Sequence, residues 1–153
     1  DLILMLFGVL SHLGEKPARL AALRQMKNSL GPEGRLIVTV PNIWRRRPLE
    51  LIATGLARRF RQATGFRRED GNILFTRKLA GAPHQFFYHL YSVKSLQSEL
   101  NDAGFVLQGV AAESLLPEWL VTQFPAIGKI DALLCRWLPA SVGYGIRVVA
   151  KIP

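Results

Sequence analysis

The feature that most constrains the fold is an apolar run that does not alternate, Leu2-Ile3-Leu4-Met5-Leu6, followed by a second run over 35–40, RLIVTV. A strand without polar alternation is one buried on both faces of a parallel sheet. Between the two runs, residues 7–14 read as a loop, and Pro17 suits an early helical position. Leu20, Leu23, Met26 and Leu30 then recur at helical spacing and mark one face. Gly31-Pro32-Glu33-Gly34 ends that helix, since glycine tolerates the left-handed terminal position and proline cannot extend the ladder. The second run is rich in β-branched residues and is closed by Pro41. Strand, helix and strand with short connections form a crossover whose strands are parallel, so the class is α/β.

Beyond this unit a helix is predicted over 93–103, with Ser92 as N-cap, Val93, Leu96, Leu100 and Ala103 inward, and Gly104 just past its end. Residues 105–112 read as a strand. Residues 117–138 read as helical, with Ile127, Ile130, Leu134 and Trp137 on one side and Cys135 as a buried structural thiol on that apolar face. The stretch 144–152 alternates, Ile146, Val148 and Ala150 pointing one way and Arg147 and Lys151 the other. Such a strand has one wetter face and is expected near a sheet edge.

A chain of 153 residues that is 49% hydrophobic supports one domain with a real core and excludes a disordered or collagen-like polypeptide. One cysteine excludes a disulfide framework and a cysteine-rich zinc site, so a reducing, cytoplasmic setting is expected. The longest apolar run, 2–10, is about half of the roughly 20 residues a membrane helix needs, and no charged segment precedes it as in a signal peptide. The chain opens on Asp1 rather than Met, at the edge of that run, and reads as part of something longer. The formal charge is +9. Most of it comes from ten cations: Arg45, Arg46, Arg47, Arg58, Arg59, Arg61, Arg67, Arg68, Arg77 and Lys78. Within this stretch Leu49, Ile52, Leu56, Phe60 and Ala63 form a helical stripe.

In an open α/β sheet, ligands sit beyond the carboxyl ends of the strands. Two such ends are legible, Leu6-Phe7-Gly8 and Pro41-Asn42-Ile43, and Gly8 either lets a ligand approach the backbone or merely turns the loop. The run DLILMLFGVLSH (1–12), then LRQMKNSLGPEGRLIVTVPN (23–42), then YHLYSVKSLQSELNDAGF (88–105), resembles the class I S-adenosylmethionine-dependent methyltransferases. In that family an Asp opens the fourth strand, a "VLHH"-like loop follows, an "LxPGGxLxxxxPN" pattern leads into the fifth strand, and "AGF" closes the helix before the sixth.

The resemblance implies a partial Rossmann-like fold, with strands four and five parallel and an antiparallel pair of strands six and seven at the end. It makes 1–153 the carboxyl-terminal portion of one domain, with 43–88 a basic insertion or lid. The Gly-rich loop and acidic residue that hold most of the cofactor in this family would lie upstream, and the chain contains no GxGxG. Its own contribution to S-adenosylmethionine would be Leu6, Phe7, Gly8, Val9 and His12. Asn42, Arg45, Tyr88, His89 and Tyr91 stand at the expected substrate entrance.

Methyl transfer is an in-line displacement in which the protein supplies orientation and desolvation, and a base matters only where the nucleophile must lose a proton. His12, His84 and His89 are the candidate bases, and for His12 a histidine hydrogen-bonded to backbone is the alternative. His84 and His89 do not have metal-ligand spacing with further partners. The acceptor is left open. Arginines in the insertion match a carboxylate or phosphate. A small molecule is the first expectation and tRNA the second, because 71–77 and 87–91 are similar to segments of the wobble-uridine tRNA methyltransferases, although Phe75-Thr-Arg-Lys replaces their Pro-Trp. The alternative function is a non-catalytic basic α/β module that binds RNA or an anionic surface.

Overall fold

The computed structural model describes residues 1–46, 71–79, 82–116 and 118–153. The stripe from Leu49 to Ala63 and most of the arginine-rich stretch lie outside these residues. The elements are, in chain order, β1 (Leu2–Met5), α1 (Val9–His12), α2 (Lys16–Asn28), β2 (Arg35–Pro41), α3 (Ile43–Arg46), β3 (Asn72–Leu79), β4 (Ala82–His89), α4 (Val93–Asp102), β5 (Val106–Ala112), α5 (Glu118–Gln123), α6 (Pro125–Trp137) and β6 (Gly145–Lys151). Strands β1, β2, β6 and β5 form one sheet in that order, and β3 with β4 form a separate hairpin.

The expected crossover is present. β1 runs parallel to β2, with Leu2 opposite Arg35 and Met5 opposite Val38. β6 is antiparallel to β2 on one side and to β5 on the other. The expected antiparallel pairing of the last two strands is therefore observed, and β6 lies one strand in from the β5 edge, near an edge as expected but paired on both sides. Its alternation records a sheet with one covered face. Ile3, Met5, Leu36, Val38, Val40, Ile146, Val148 and Ala150 pack into the core with Leu23 of α2 and Leu96 and Leu100 of α4. The opposite face carries Arg147 and Lys151 and leaves Leu2 and Leu4 exposed. The reading of 2–6 as buried on both sides thus fails among the described residues, where β1 is the sheet edge.

Local signals fix both ends of α4. The Ser92 hydroxyl accepts from the Ser95 N–H at 3.0 Å, while the Ser95 hydroxyl accepts from the Ser92 N–H at 2.9 Å. This reciprocal pair satisfies donors that a helix start leaves free. Gly104, at φ 88°, takes the left-handed position after α4 that a side chain would resist. Two readings need correction. The 7–14 loop contains the one-turn helix α1. The single helix expected over 117–138 is two, since Phe124 is extended and Pro125 starts α6 afresh. No helix among the described residues is long and apolar enough to cross a membrane.

One buried polar contact ties these layers together. The Arg19 side chain is 0% exposed and that of Glu99 5%, and the Arg19 guanidinium donates to the Glu99 carboxylate at 2.6–3.2 Å. Arg19 also donates to the Gly14 carbonyl at 2.8 Å, and the Tyr91 hydroxyl donates to Glu99 at 2.9 Å. Removing one member of a buried pair strands a charge away from water, so Arg19→Met is expected to lower unfolding stability by about 3–5 kcal/mol. Lys16→Ala, at the exposed Lys16–Asp102 pair, should cost less than about 1 kcal/mol. Urea unfolding of the two variants checks the contrast, and equal losses would contradict it.

Burial, followed by the charge of Glu99, holds the Tyr91 phenol far above its ordinary value of 10.0. The folded chain keeps a proton that the unfolded chain loses, so stability is full below pH 10 and falls as pH rises beyond it. Tyr91→Phe should flatten that alkaline slope in a pH series of thermal melts. An unchanged slope would contradict this assignment.

Candidate functional site

β1 and β2 point the same way, and their carboxyl ends meet at one edge. The chain leaves β1 through Phe7 and Gly8, both left-handed, at φ 59° and 70°. Phe7 is the one non-glycine residue with positive φ among those described, and holding it there costs free energy that surrounding contacts must supply. Thr39 of β2 supplies them. Its hydroxyl accepts from the Phe7 N–H at 2.9 Å, and its carbonyl accepts from the Gly8 N–H at 3.2 Å. With the backbone pinned, the Phe7 ring is 86% exposed at the edge, while Gly8 is buried.

α1 begins immediately after this turn and brings His12 back over it. The His12 ring lies against the Tyr88 ring, centroids 4.7 Å apart and planes tilted by 49°. The Tyr88 hydroxyl also covers Gly8, standing 3.0 Å from where a β-carbon would be. Thus Phe7, Gly8, Val9, His12 and Tyr88 come together, with half-buried Leu6 at their base. Ser11, in α1, is fully buried, and its hydroxyl has no hydrogen-bond partner among the described residues.

The remaining expected residues lie elsewhere. Tyr91 is 0% exposed, and its hydroxyl is committed to Glu99. Backbone bonds join it to the end of β2, its N–H to the Pro41 carbonyl at 3.0 Å and its carbonyl to the Ile43 N–H at 2.9 Å. Asn42 is also fully buried. Its amide donates to the Ser141 and Gly143 carbonyls, each at 2.8 Å, and its oxygen accepts from the Trp44 N–H at 3.1 Å. His89 is buried with its Nδ1 against the Asn72 side chain and its ring edge-on to Tyr91. These three side chains form the floor beneath the edge, so the structure does not place them for contact with a substrate.

Tyr88 and His89 separate because they are neighbours on a strand and face opposite ways. Arg45 lies apart from the His12–Tyr88 pair. It donates to the Leu115 carbonyl at 2.8 Å and sits 4.9 Å from the Tyr144 ring centroid. Thr39 was not among the expected residues. Its signal was a lone hydroxyl in an otherwise apolar strand.

Gly8→Ala would put a side chain at positive φ and press it against the Tyr88 hydroxyl. A loss of about 1–2 kcal/mol is expected from the backbone alone. In the Tyr88→Phe background the contact is relieved while the φ penalty remains, so only part of the loss should be recovered. Full recovery in unfolding measurements would contradict the backbone assignment.

No protein-family model matches the chain, and no curated protein matches it. Solved structures do. A S-adenosylmethionine-dependent methyltransferase from Methanosarcina mazei superposes with a TM-score of 0.61 at 16% identity, over 99% of this chain and 58% of that one. The CcbJ methyltransferase from Streptomyces caelestis gives 0.53 at 16% identity, over 99% and 56%. A S-adenosylmethionine-dependent methyltransferase from Clostridium acetobutylicum gives 0.54 at 8% identity, over 99% and 58%. At these identities the likeness shows the fold, a partial Rossmann-like methyltransferase fold, and the chain spans less than two thirds of the length of each structure.

Proposed function

We propose that this chain is the strand-four-onward part of an S-adenosylmethionine-dependent methyltransferase acting in the cytoplasm. One observation carries the reading: the sheet order β1-β2-β6-β5, with β6 alone reversed, puts an exposed, pinned turn at the carboxyl tip of β1. The edge of β1, unpaired among the described residues, and the exposed Leu2 and Leu4 support a place for further β-α units on that side. The fold likeness supports the same frame.

The residues at the tip fit the cofactor chemically. Leu6, Phe7 and Val9 offer an apolar ledge, Gly8 keeps the backbone low, and His12 closes one side. Ser11 adds a hydroxyl with no partner among the described residues. When bound, the cofactor supplies an electrophilic methyl group on a sulfonium centre. This chain's part is to shape the pocket, hold the acceptor in line and keep water out. Tyr88, beside His12, is the side chain best placed to orient an acceptor oxygen, and His12 the one best placed to take up a proton there. The acceptor we favour is a small molecule, with tRNA as the second candidate.

The test is calorimetry of the complete polypeptide with S-adenosylmethionine and with its demethylated product. Binding of both is expected, with Phe7→Ala weakening it about tenfold through lost apolar contact. Absence of heat with either ligand, together with salt-dependent RNA binding, would favour the non-catalytic module instead.

A further inference from the structure

α6 is turned against its own polarity. Asp131 faces inward, where its carboxylate accepts from the Ser114 hydroxyl at 2.9 Å and from the N–H groups of Leu115 and Leu116 at 2.9 and 3.0 Å. Cys135, one turn on, is buried on the same side. These bonds fix the rotation of the helix. The consequence is that Ile130, Leu133, Leu134 and Trp137 point outward, at 57%, 55%, 43% and 82% exposure. Their spacing of three, one and three is that of one continuous helical stripe. An exposed stripe of this kind marks an interaction surface.

The charges beside the stripe select the occupant. Lys129 and Arg136 precede Ile130 and Trp137 and lie along one flank, and neither takes part in an ion pair among the described residues. The only acid on α6 is Asp131, which is turned in. A second copy of the chain would therefore bring cation against cation, on a molecule whose formal charge is already +9. The partner must be apolar and anionic together. Trp137 projects from the helix end, as an aromatic anchor at a lipid headgroup layer does. At 13 residues the helix is too short to span a bilayer and suits one lying in its surface.

We propose that the outward face of α6 docks on an anionic lipid bilayer. This docking does not rest on methyl transfer. It has a geometric consequence for the site edge. β5 runs in the same direction as β2, since both are antiparallel to β6. The 113–116 loop that Asp131 holds therefore leaves β5 at the same sheet edge as the Phe7–Gly8 turn. Arg45, just beyond β2, bonds to that loop. Docking through α6 brings this edge to the lipid surface, and the anionic cytoplasmic leaflet has the required charge.

The test is flotation of the complete polypeptide with vesicles of phosphatidylcholine alone or with 30 mol% phosphatidylglycerol (roughly a physiological anionic fraction). Binding to the anionic vesicles only is expected, with a blue shift of tryptophan emission. Leu133→Ser combined with Trp137→Ser should lower partitioning about tenfold. Both positions are exposed, so the thermal melt should not move. The proposal is overturned if the protein ignores anionic vesicles, or if the double variant binds as well as the parent, which would mean that the net charge alone attracts it. It is also overturned if sedimentation shows a self-association or a protein complex that the double variant dissolves while vesicles have no effect.

Discussion

The Arg19–Glu99–Tyr91 contact is the constraint on which the rest of the molecule depends. It joins α2, the second half of α4 and the segment that leads from the hairpin into α4. A buried ion pair is weak as a source of net stability, because both charges leave water. Its value is directional. An apolar contact among the same helices tolerates sliding, whereas a guanidinium against a carboxylate, with a phenol on the remaining oxygen, is satisfied in one arrangement only. Because Tyr91 is held there, its backbone can bond to Pro41 and Ile43. That fixes where β2 ends.

From that point the edge is built by hydrogen bonds rather than by packing. Asn42 ties the end of β2 to the 141–143 segment, and Thr39 holds Phe7 in a left-handed conformation that a side chain disfavours. The result separates two kinds of polar residue. Asn42, His89 and Tyr91 have their polar atoms engaged in the floor, whereas His12 and Tyr88 meet ring against ring beside Gly8. The chemistry proposed for the site falls to the second group.

The parallel unit was legible because its signals are local: unbroken apolar runs, a helical stripe, and Gly-Pro punctuation between them. The cap at Ser92 and the turn at Gly104 were legible for the same reason. The Arg19–Glu99 pair was not, since its members lie 80 positions apart. Only the presence of opposite charges on two otherwise apolar faces hinted at it. α6 was misread because apolar stripes usually face inward, and three hydrogen bonds to Asp131 override that preference. The alternation of β6 gave one wet face near an edge but not its pairing on both sides, because period-two patterning reports which face is covered and not which neighbours pair. At the site, the tip of β1 was found from its position in the crossover. The split between Tyr88 and His89 required knowing that they share a strand.

The most direct measurement is a crystal structure of the complete polypeptide with S-adenosylhomocysteine. The account predicts the ligand against Phe7 and Gly8, and a strand paired in parallel with the open edge of β1. A ligand bound elsewhere, or an antiparallel strand on that edge, would contradict it.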